Sequence, residues 1–349
     1  MRNRVIKDRI KIRSKKSTGR IIVLTGARQT GKTTLAKKVF SNYEYISIED
    51  PVLRPSYASL SARQWKDIYP KAILDEVQKE PSLIESIKSV YDQWDEPRYI
   101  LLGSSQLLLL QQVKESLAGR ISIYEIFPLT FPELSTESWN DETKESNFIQ
   151  LISQKTIPKL TPSFLLDKEI TKKQAAWDHY KKFGGYPAIC NKKLNDEERY
   201  SWLSNYVRTY LERDIRDLAN FRDLEPFVKL QKLLAANTST LFNASEAAKR
   251  IGLTSKTAQK YLRYFELSYQ LFVLPAWSGN INKRLSKMPK IHFMDYGVLQ
   301  AVLQKRGGMT GNEFESSLVS EMYKQLKNHN IRAEMFHLRT HDGKEVDLL

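Results

Sequence analysis

The sequence predicts an α/β protein: a mostly parallel sheet first, then a helical region, then a closing α/β segment. Three observations carry this expectation. Residues 20–126 alternate short apolar runs with longer amphipathic stretches, as the strands and covering helices of a parallel sheet do. From Trp177 the chain turns helical and aromatic, and beyond Gly311 a long helical stretch gives way to strand-like runs. At 349 residues the chain exceeds what one hydrophobic core usually supports, so several domains are expected.

In the first part the strand runs are "RIIVLTG", "YEYISIE", "KAILDE", "RYILLGSS" and "ISIYEIF". Between them, "TTLAKKVF" and "SLIESIKSVYDQW" carry helical period. The pattern breaks after "FPLTFPEL", which sets a first domain over residues 1–134. Residues 135–176 are polar, carry Pro158 and Pro162, and read as a linker or insertion. A helical region follows over 177–300. Inside it, "NASEAAKRIGL" is closed by Gly252 and the next helix is capped by Thr254, the outline of a helix-turn-helix. Residues 271–294, tipped by "SGNINKRLSKMPK", read as a hairpin that would form a wing. Residues 301–349 supply the helix "NEFESSLVSEMYKQLKN" and the strand-like "RAEMFHLRT" and "KEVDLL".

Composition narrows the class. Hydrophobic residues make up 41% and charged residues 27%, which excludes a disordered or fibrous chain. Cys190 is the sole cysteine, which excludes an intrachain disulfide and any multi-cysteine metal site and fits the reducing cytoplasm. The longest aliphatic run, "LLLL" at 107–110, is too short to cross a bilayer, so no membrane partner is expected. Against 40 acidic residues stand 55 Lys and Arg, a net charge of +15, and Asp8 is the only acid in the first twenty residues. Two readings of that basic start stand: an amphipathic helix turning Val5, Ile6, Ile10 and Ile12 to a core, or a contact with a polyanion.

The sharpest chemical signal is "VLTGARQTGKTTLAKKVF", residues 23–40. Gly26 and Gly31 flank Ala27, Arg28, Gln29 and Thr30, and Lys32, Thr33 and Thr34 open a helix. Glycines let the backbone curl until successive N–H groups face phosphate oxygens, and the helix adds its positive end. Lys32 would reach the β- and γ-phosphates, and the Thr33 hydroxyl would face Mg²⁺. One helix and one strand further on, "KAILDEVQ" ends a strand in Asp75 and Glu76. Asp75 would hold the hydrated Mg²⁺, and Glu76 would orient and polarise the attacking water. "RYILLGSSQ" places Ser104 and Ser105 where a polar side chain could sense phosphate, or simply form a turn. Arg120, just before a strand, could neutralise γ-phosphate charge of a neighbouring subunit or make a structural salt bridge.

These stretches in this order resemble the prokaryotic AAA-type (AAA+) P-loop ATPases that carry a C-terminal domain of unknown function. The resemblance continues through "FGGYPA", "YLERDI", "KIHFMDYGVL", "FESSLV" and "EVDLL", nearly the whole chain. It implies ATP rather than another nucleotide, Ser104 or Ser105 as the sensor, and Arg120 as the finger. It also implies a winged-helix region and a C-terminal fold like PD-(D/E)xK nucleases. "NKKL" at 191–194 lacks the aspartate of a guanine-reading motif, which disfavours a GTPase. The sequence stops two residues after Asp347, before the Glu-x-Lys strand that such nucleases need. The segment is therefore expected to be incomplete, with no nuclease activity, and Glu315 and Asp347 read as a structural pair ahead of a metal remnant.

Lys256, Lys260 and Arg263 fall on the second helix of the helix-turn-helix, and Lys283, Arg284, Lys287 and Lys290 on the wing. Such residues suit phosphate contacts with duplex DNA; a protein-binding module with a solvated basic face is the other reading. Tyr261, Tyr264 and Phe265 read as core. The expected function is a Mg²⁺-dependent ATPase coupled to a DNA-binding winged helix, possible as a homo-oligomer. Its rival is a nucleotide-gated switch that recruits a protein partner with negligible turnover.

Overall fold

The computed structural model describes residues 1–103, 115–154, 167–212, 223–340 and 342–349. The chain divides into two compact units, Arg4–Phe127 and Met1–Asn3 with Pro128–Leu349.

The first unit is a five-stranded parallel sheet of β1 (Ile21–Thr25), β2 (Glu44–Ser47), β3 (Lys71–Asp75), β4 (Arg98–Leu102) and β5 (Ile121–Glu125). The spatial order is β2-β3-β4-β1-β5. All five apolar runs of the sequence are strands. β1 is buried at every position because it lies between β4 and β5 and is covered on both faces. Among the described residues its helices are α1 (Lys7–Ser14), α2 (Lys32–Val39), α3 (Arg54–Ala58), α4 (Ala62–Ile68) and α5 (Ser82–Gln93). α4 opens with a capping box in which Ser61 and Gln64 satisfy each other's backbone N–H groups. Its Trp65 is fully buried in a core shared with Ile21, Val23, Leu74, Ile87 and Leu101. At the N-terminus Ile6 and Ile10 are buried, as an amphipathic helix requires, whereas Ile12 points to solvent. Because every strand runs the same way, the ends of β1 and β3 open on the same edge of the sheet, across β4.

The second unit is mostly helical. It contains α6 (Phe131–Leu134), α7 (Asn147–Gln154), α8 (Ile170–Phe183), α9 (Asp196–Glu212), α10 (Glu225–Ala236), α11 (Ala244–Ile251) and α12 (Ser255–Leu267). β6 (Leu271–Leu274) and β7 (Lys290–Phe293) then pair antiparallel, with α13 (Ile281–Ser286) between them where the sequence suggested a simple hairpin tip. α14 (Tyr296–Leu303), α15 (Gly311–His329) and the short pair β8 (Leu338–Arg339) and β9 (Glu345–Val346) complete it. α11 ends at Gly252 in the left-handed conformation, and Thr254 accepts from the Thr257 N–H at the start of α12. Tyr264 and Phe265 are buried and Tyr261 half-buried, so these rings serve the core.

Three quoted stretches meet in this unit. Leu129 N–H donates to the Gly185 carbonyl at 2.7 Å, and Gly185 N–H donates to Asp295 Oδ2 at 2.7 Å. A Cβ on Gly297 would stand 1.9 Å from the Phe183 carbonyl oxygen, so no side chain fits there. "FPLTF", "FGGYP" and "FMDYG" are thus joints between backbones.

Candidate functional site

The loop after β1 is shaped by its neighbours. Gly26 has φ +137°, and a Cβ there would lie 2.2 Å from the Ile126 carbonyl oxygen. Gln29 (φ 60°) and Gly31 (φ 90°) are left-handed, and Gly31 is the N-cap of α2. Thr30 is buried and donates its hydroxyl to the Ala27 carbonyl at 2.9 Å. The loop is braced from below by Arg4, a buried residue whose guanidinium donates to the carbonyls of Thr30 (3.0 Å) and Phe127 (2.7 Å). Of the cations in the basic N-terminus, Arg4 is therefore structural.

Lys32 is buried, with its ammonium donating to the carbonyls of Gly26 (2.9 Å) and Ala27 (2.8 Å) inside the loop. Thr33 donates its hydroxyl to Asp75 Oδ2 at 2.7 Å. Arg28 is half-buried and Thr34 exposed on the same loop and helix start. Asp75 ends β3, and its Oδ1 accepts the Glu76 N–H at 3.1 Å. Glu76 sits at φ 58°, a left-handed conformation uncommon for glutamate, and Gln78 Nε2 donates to its Oε2. The sheet thus brings Lys32, Thr33, Asp75 and Glu76 together. Ser104 and Ser105 lie outside the described residues.

Two members of this constellation escaped the sequence reading. Tyr45 on β2 donates its hydroxyl to Asp75 Oδ2 at 3.0 Å. Burial and the Asp75 charge push the Tyr45 phenol up to about 12, which keeps it a donor, and the Lys37 ammonium lies 3.2 Å from the centre of its ring. Gln78 is the second. Tyr45 stands opposite Ile73 in the β2–β3 register, two residues before Asp75, and only the pairing of those strands reveals the contact.

Arg120 stands elsewhere. Ile121 pairs with Ile21 and Glu125 with Thr25, so Arg120 lies at the opposite end of the sheet, roughly 20 Å from the loop at 3.3 Å per residue. Its guanidinium makes a two-pronged pair with Asp92 on α5, at 2.7 and 3.1 Å. Within one subunit it does not meet the loop.

In the second unit Lys256, Lys260 and Arg263 are all exposed on α12, at the i, i+4, i+7 spacing of one helix face. Arg263 lies 3.4 Å from Glu266. Lys283 falls within α13, and its side chain is outside the described set. Lys287 is exposed, whereas Arg284 is half-buried, bonded to the Ser278 carbonyl and packed against Phe336. Lys290, read as a wing cation, is buried instead. Its side chain is 4% exposed, and its ammonium binds Glu315 and Asp347 at 2.9 Å and also Glu345. Burial works against that charge, but the hydrogen bonds it donates to Glu345, Glu315 and Asp347 outweigh it and hold the ammonium above its ordinary range. Among the described residues no group of three His, Cys, Asp or Glu side chains is placed to hold a metal ion, and no helix is long and apolar enough to cross a membrane.

The five-stranded parallel sheet, with a glycine loop leading into α2 and an acidic pair ending β3, is a P-loop ATPase fold. Comparison with known proteins agrees: residues 18–135 match the family described as AAA domain, and residues 174–308 match a domain of unknown function (DUF8612). An uncharacterized protein of Mycobacterium tuberculosis is 25% identical over 342 residues, 94% of this chain and 67% of that protein. Another uncharacterized protein, of Methanocaldococcus jannaschii, is 24% identical over 91% of this chain and 70% of its own length. The solved Walker-type ATPase of Pyrococcus abyssi shares the fold, with TM-score 0.52 at 13% identity over 86% of this chain and 95% of that one.

Proposed function

We propose that this protein binds ATP with Mg²⁺ and hydrolyses it, and that the nucleotide cycle is coupled to a DNA-binding winged-helix region in the second unit. The observation that carries the reading is the Thr33 hydroxyl bonded to the Asp75 carboxylate at 2.7 Å, with Lys32 and Glu76 as their chain neighbours. This donor set is all oxygen, a hydroxyl from the first turn of α2 and a carboxylate at the end of β3, which suits a hard divalent cation. Thr33 and Asp75 would hold Mg²⁺, which when bound neutralises charge on the β- and γ-phosphate oxygens. Loop N–H groups and Lys32 bind the phosphates. Glu76 accepts a proton from water as its oxygen bonds to the γ-phosphorus and the bond to the β-phosphate oxygen breaks, releasing ADP and inorganic phosphate. Lys32, Glu76 and, from a neighbouring subunit, Arg120 are the catalytic groups in this scheme.

The exposed stripe of Lys256, Lys260 and Arg263, on the second helix of a helix-turn-helix, supports duplex DNA as the partner. The single cysteine supports the cytoplasm as its compartment. The test is steady-state ATP turnover with and without duplex DNA at two protein concentrations, with Lys32→Ala and Glu76→Gln alongside. Lys32→Ala should lose nucleotide binding, and Glu76→Gln should bind ATP yet turn it over about 10²-fold more slowly. Wild-type turnover equal to that of Glu76→Gln would refute the role of Glu76. ATP binding with negligible turnover, together with salt-resistant capture of a protein, would favour the switch reading.

A further inference from the structure

We infer that Gln78 is a positioning residue for hydrolysis, its side-chain amide holding the Glu76 carboxylate in the orientation that faces the attacking water. The inference rests on the reading of Glu76 as the proton acceptor. Gln78 lies in the short turn Val77–Lys79 that follows Glu76. Its Nε2 donates to Glu76 Oε2, while its Oε1 is buried with no donor among the described residues. A buried acceptor without a donor is unfavourable, and such groups are rare enough to need a cause. Turning the amide over would satisfy nothing, because it would set Oε1 against a carboxylate oxygen. The carboxylate therefore dictates how the amide lies.

Glu76 is held at both ends by this arrangement. Its main chain is left-handed and its N–H is bonded to Asp75 Oδ1 at 3.1 Å. The far end of the side chain is bonded to Gln78. Left-handed backbone at a non-glycine residue costs free energy and persists where the surroundings impose it. Loss of the Gln78 donor would let the carboxylate shift, and misplacement on the scale of 1 Å costs up to about 10²-fold in rate. Gln78 touches neither phosphate nor water in this scheme and acts only through Glu76.

The experiment is a double-mutant cycle on the full chain, with Mg²⁺ and ATP, measuring kcat, KM and the ATP dissociation constant. Gln78→Met keeps the side-chain volume without its donor, and Gln78→Ala serves as a second variant. Either should lower kcat about 10- to 100-fold and leave KM and ATP affinity unchanged. In the Glu76→Gln background the same change should have no further effect, because the group it positions is gone. Unchanged kcat in both variants overturns the inference, as does an equal loss in both backgrounds, which is what a structural role gives. Wild type no faster than Glu76→Gln removes the reading of Glu76, and the inference falls with it. Normal wild-type dependence on Glu76 with Gln78→Met fully active removes the inference alone.

Discussion

Replacing Lys290 by Met should destabilise the second unit strongly at neutral pH and much less in acid. The ammonium is 4% exposed and is shared by Glu315, Glu345 and Asp347, whose side chains are 20%, 32% and 57% exposed. Removing one partner of a buried ion pair costs about 3–5 kcal/mol, because the remaining charge is left uncompensated. Water screens Asp347 and part of Glu345, so the low end applies and the weight falls on Glu315. At about 3 kcal/mol, a unit of this size should lose roughly 6–12 °C in Tm.

The pH dependence follows from Glu315, whose carboxyl burial already holds above the usual carboxylate range against the pull of Lys290. Without Lys290 it rises further, so the penalty is full above the range of that raised carboxyl and shrinks as pH falls through it. Lys290 itself is raised, so its contribution in the wild type is complete below the ordinary lysine range and is lost only as pH rises through the raised value. Calorimetry at pH 7 and pH 5, with the exposed Lys256→Met as control, measures both effects. A Tm loss at pH 7 no larger than the control's, or an equal loss at both pH values, would refute the reasoning.

Three further outcomes are expected. Gly26→Ala should abolish ATP binding, since its Cβ would fall 2.2 Å from the Ile126 oxygen; calorimetric titration with ATP checks it, and full affinity contradicts the loop geometry. Arg120→Ala should bind ATP normally and hydrolyse it slowly, with activity recovered on mixing with Glu76→Gln protein, because Arg120 sits at the far end of its own sheet. Full activity of Arg120→Ala at every protein concentration would leave only its pair with Asp92. Duplex DNA affinity should fall linearly with salt on logarithmic axes, and neutralising Lys256, Lys260 and Arg263 should flatten that slope by about one unit for each phosphate that is no longer bound; the absence of binding to any duplex at low salt would set DNA aside.

The candidate site was legible where it is local in sequence. A phosphate loop needs glycine, lysine and threonine at fixed spacing, and its acids end a nearby apolar strand, so Lys32, Thr33, Asp75 and Glu76 could be named as candidates without a structure, and the sheet brings them together. The helix ends were equally plain, since Gly252 and Thr254 act on backbone groups a few residues away. What stayed hidden depends on strand order. Tyr45 reaches Asp75 only because β2 pairs with β3 in one particular register. Arg4 braces the loop across 26 residues of sequence from Thr30, and nothing in a basic N-terminus marks one arginine as buried. Lys290 misled for the same reason: in "KMPKIHF" it looks like one more surface cation, yet β7 is buried at all four positions and α15 brings Glu315 to it.

The most recognisable stretches beyond the phosphate loop do a different job from the one their prominence suggests. In "FPLTF", "FGGYP" and "FMDYG", Gly185 and Gly297 let separate backbones approach more closely than any Cβ allows, and Asp295 binds the Gly185 N–H. Asp295 also caps α14 through the Val298 N–H. Its carboxyl is pushed upward by complete burial, with the buried Lys324 and three backbone N–H groups pulling the other way. Such joints report the architecture of the second unit and are silent about a partner. A partner, if there is one, would meet exposed side chains, and on α12 these include Lys256, Lys260 and Arg263.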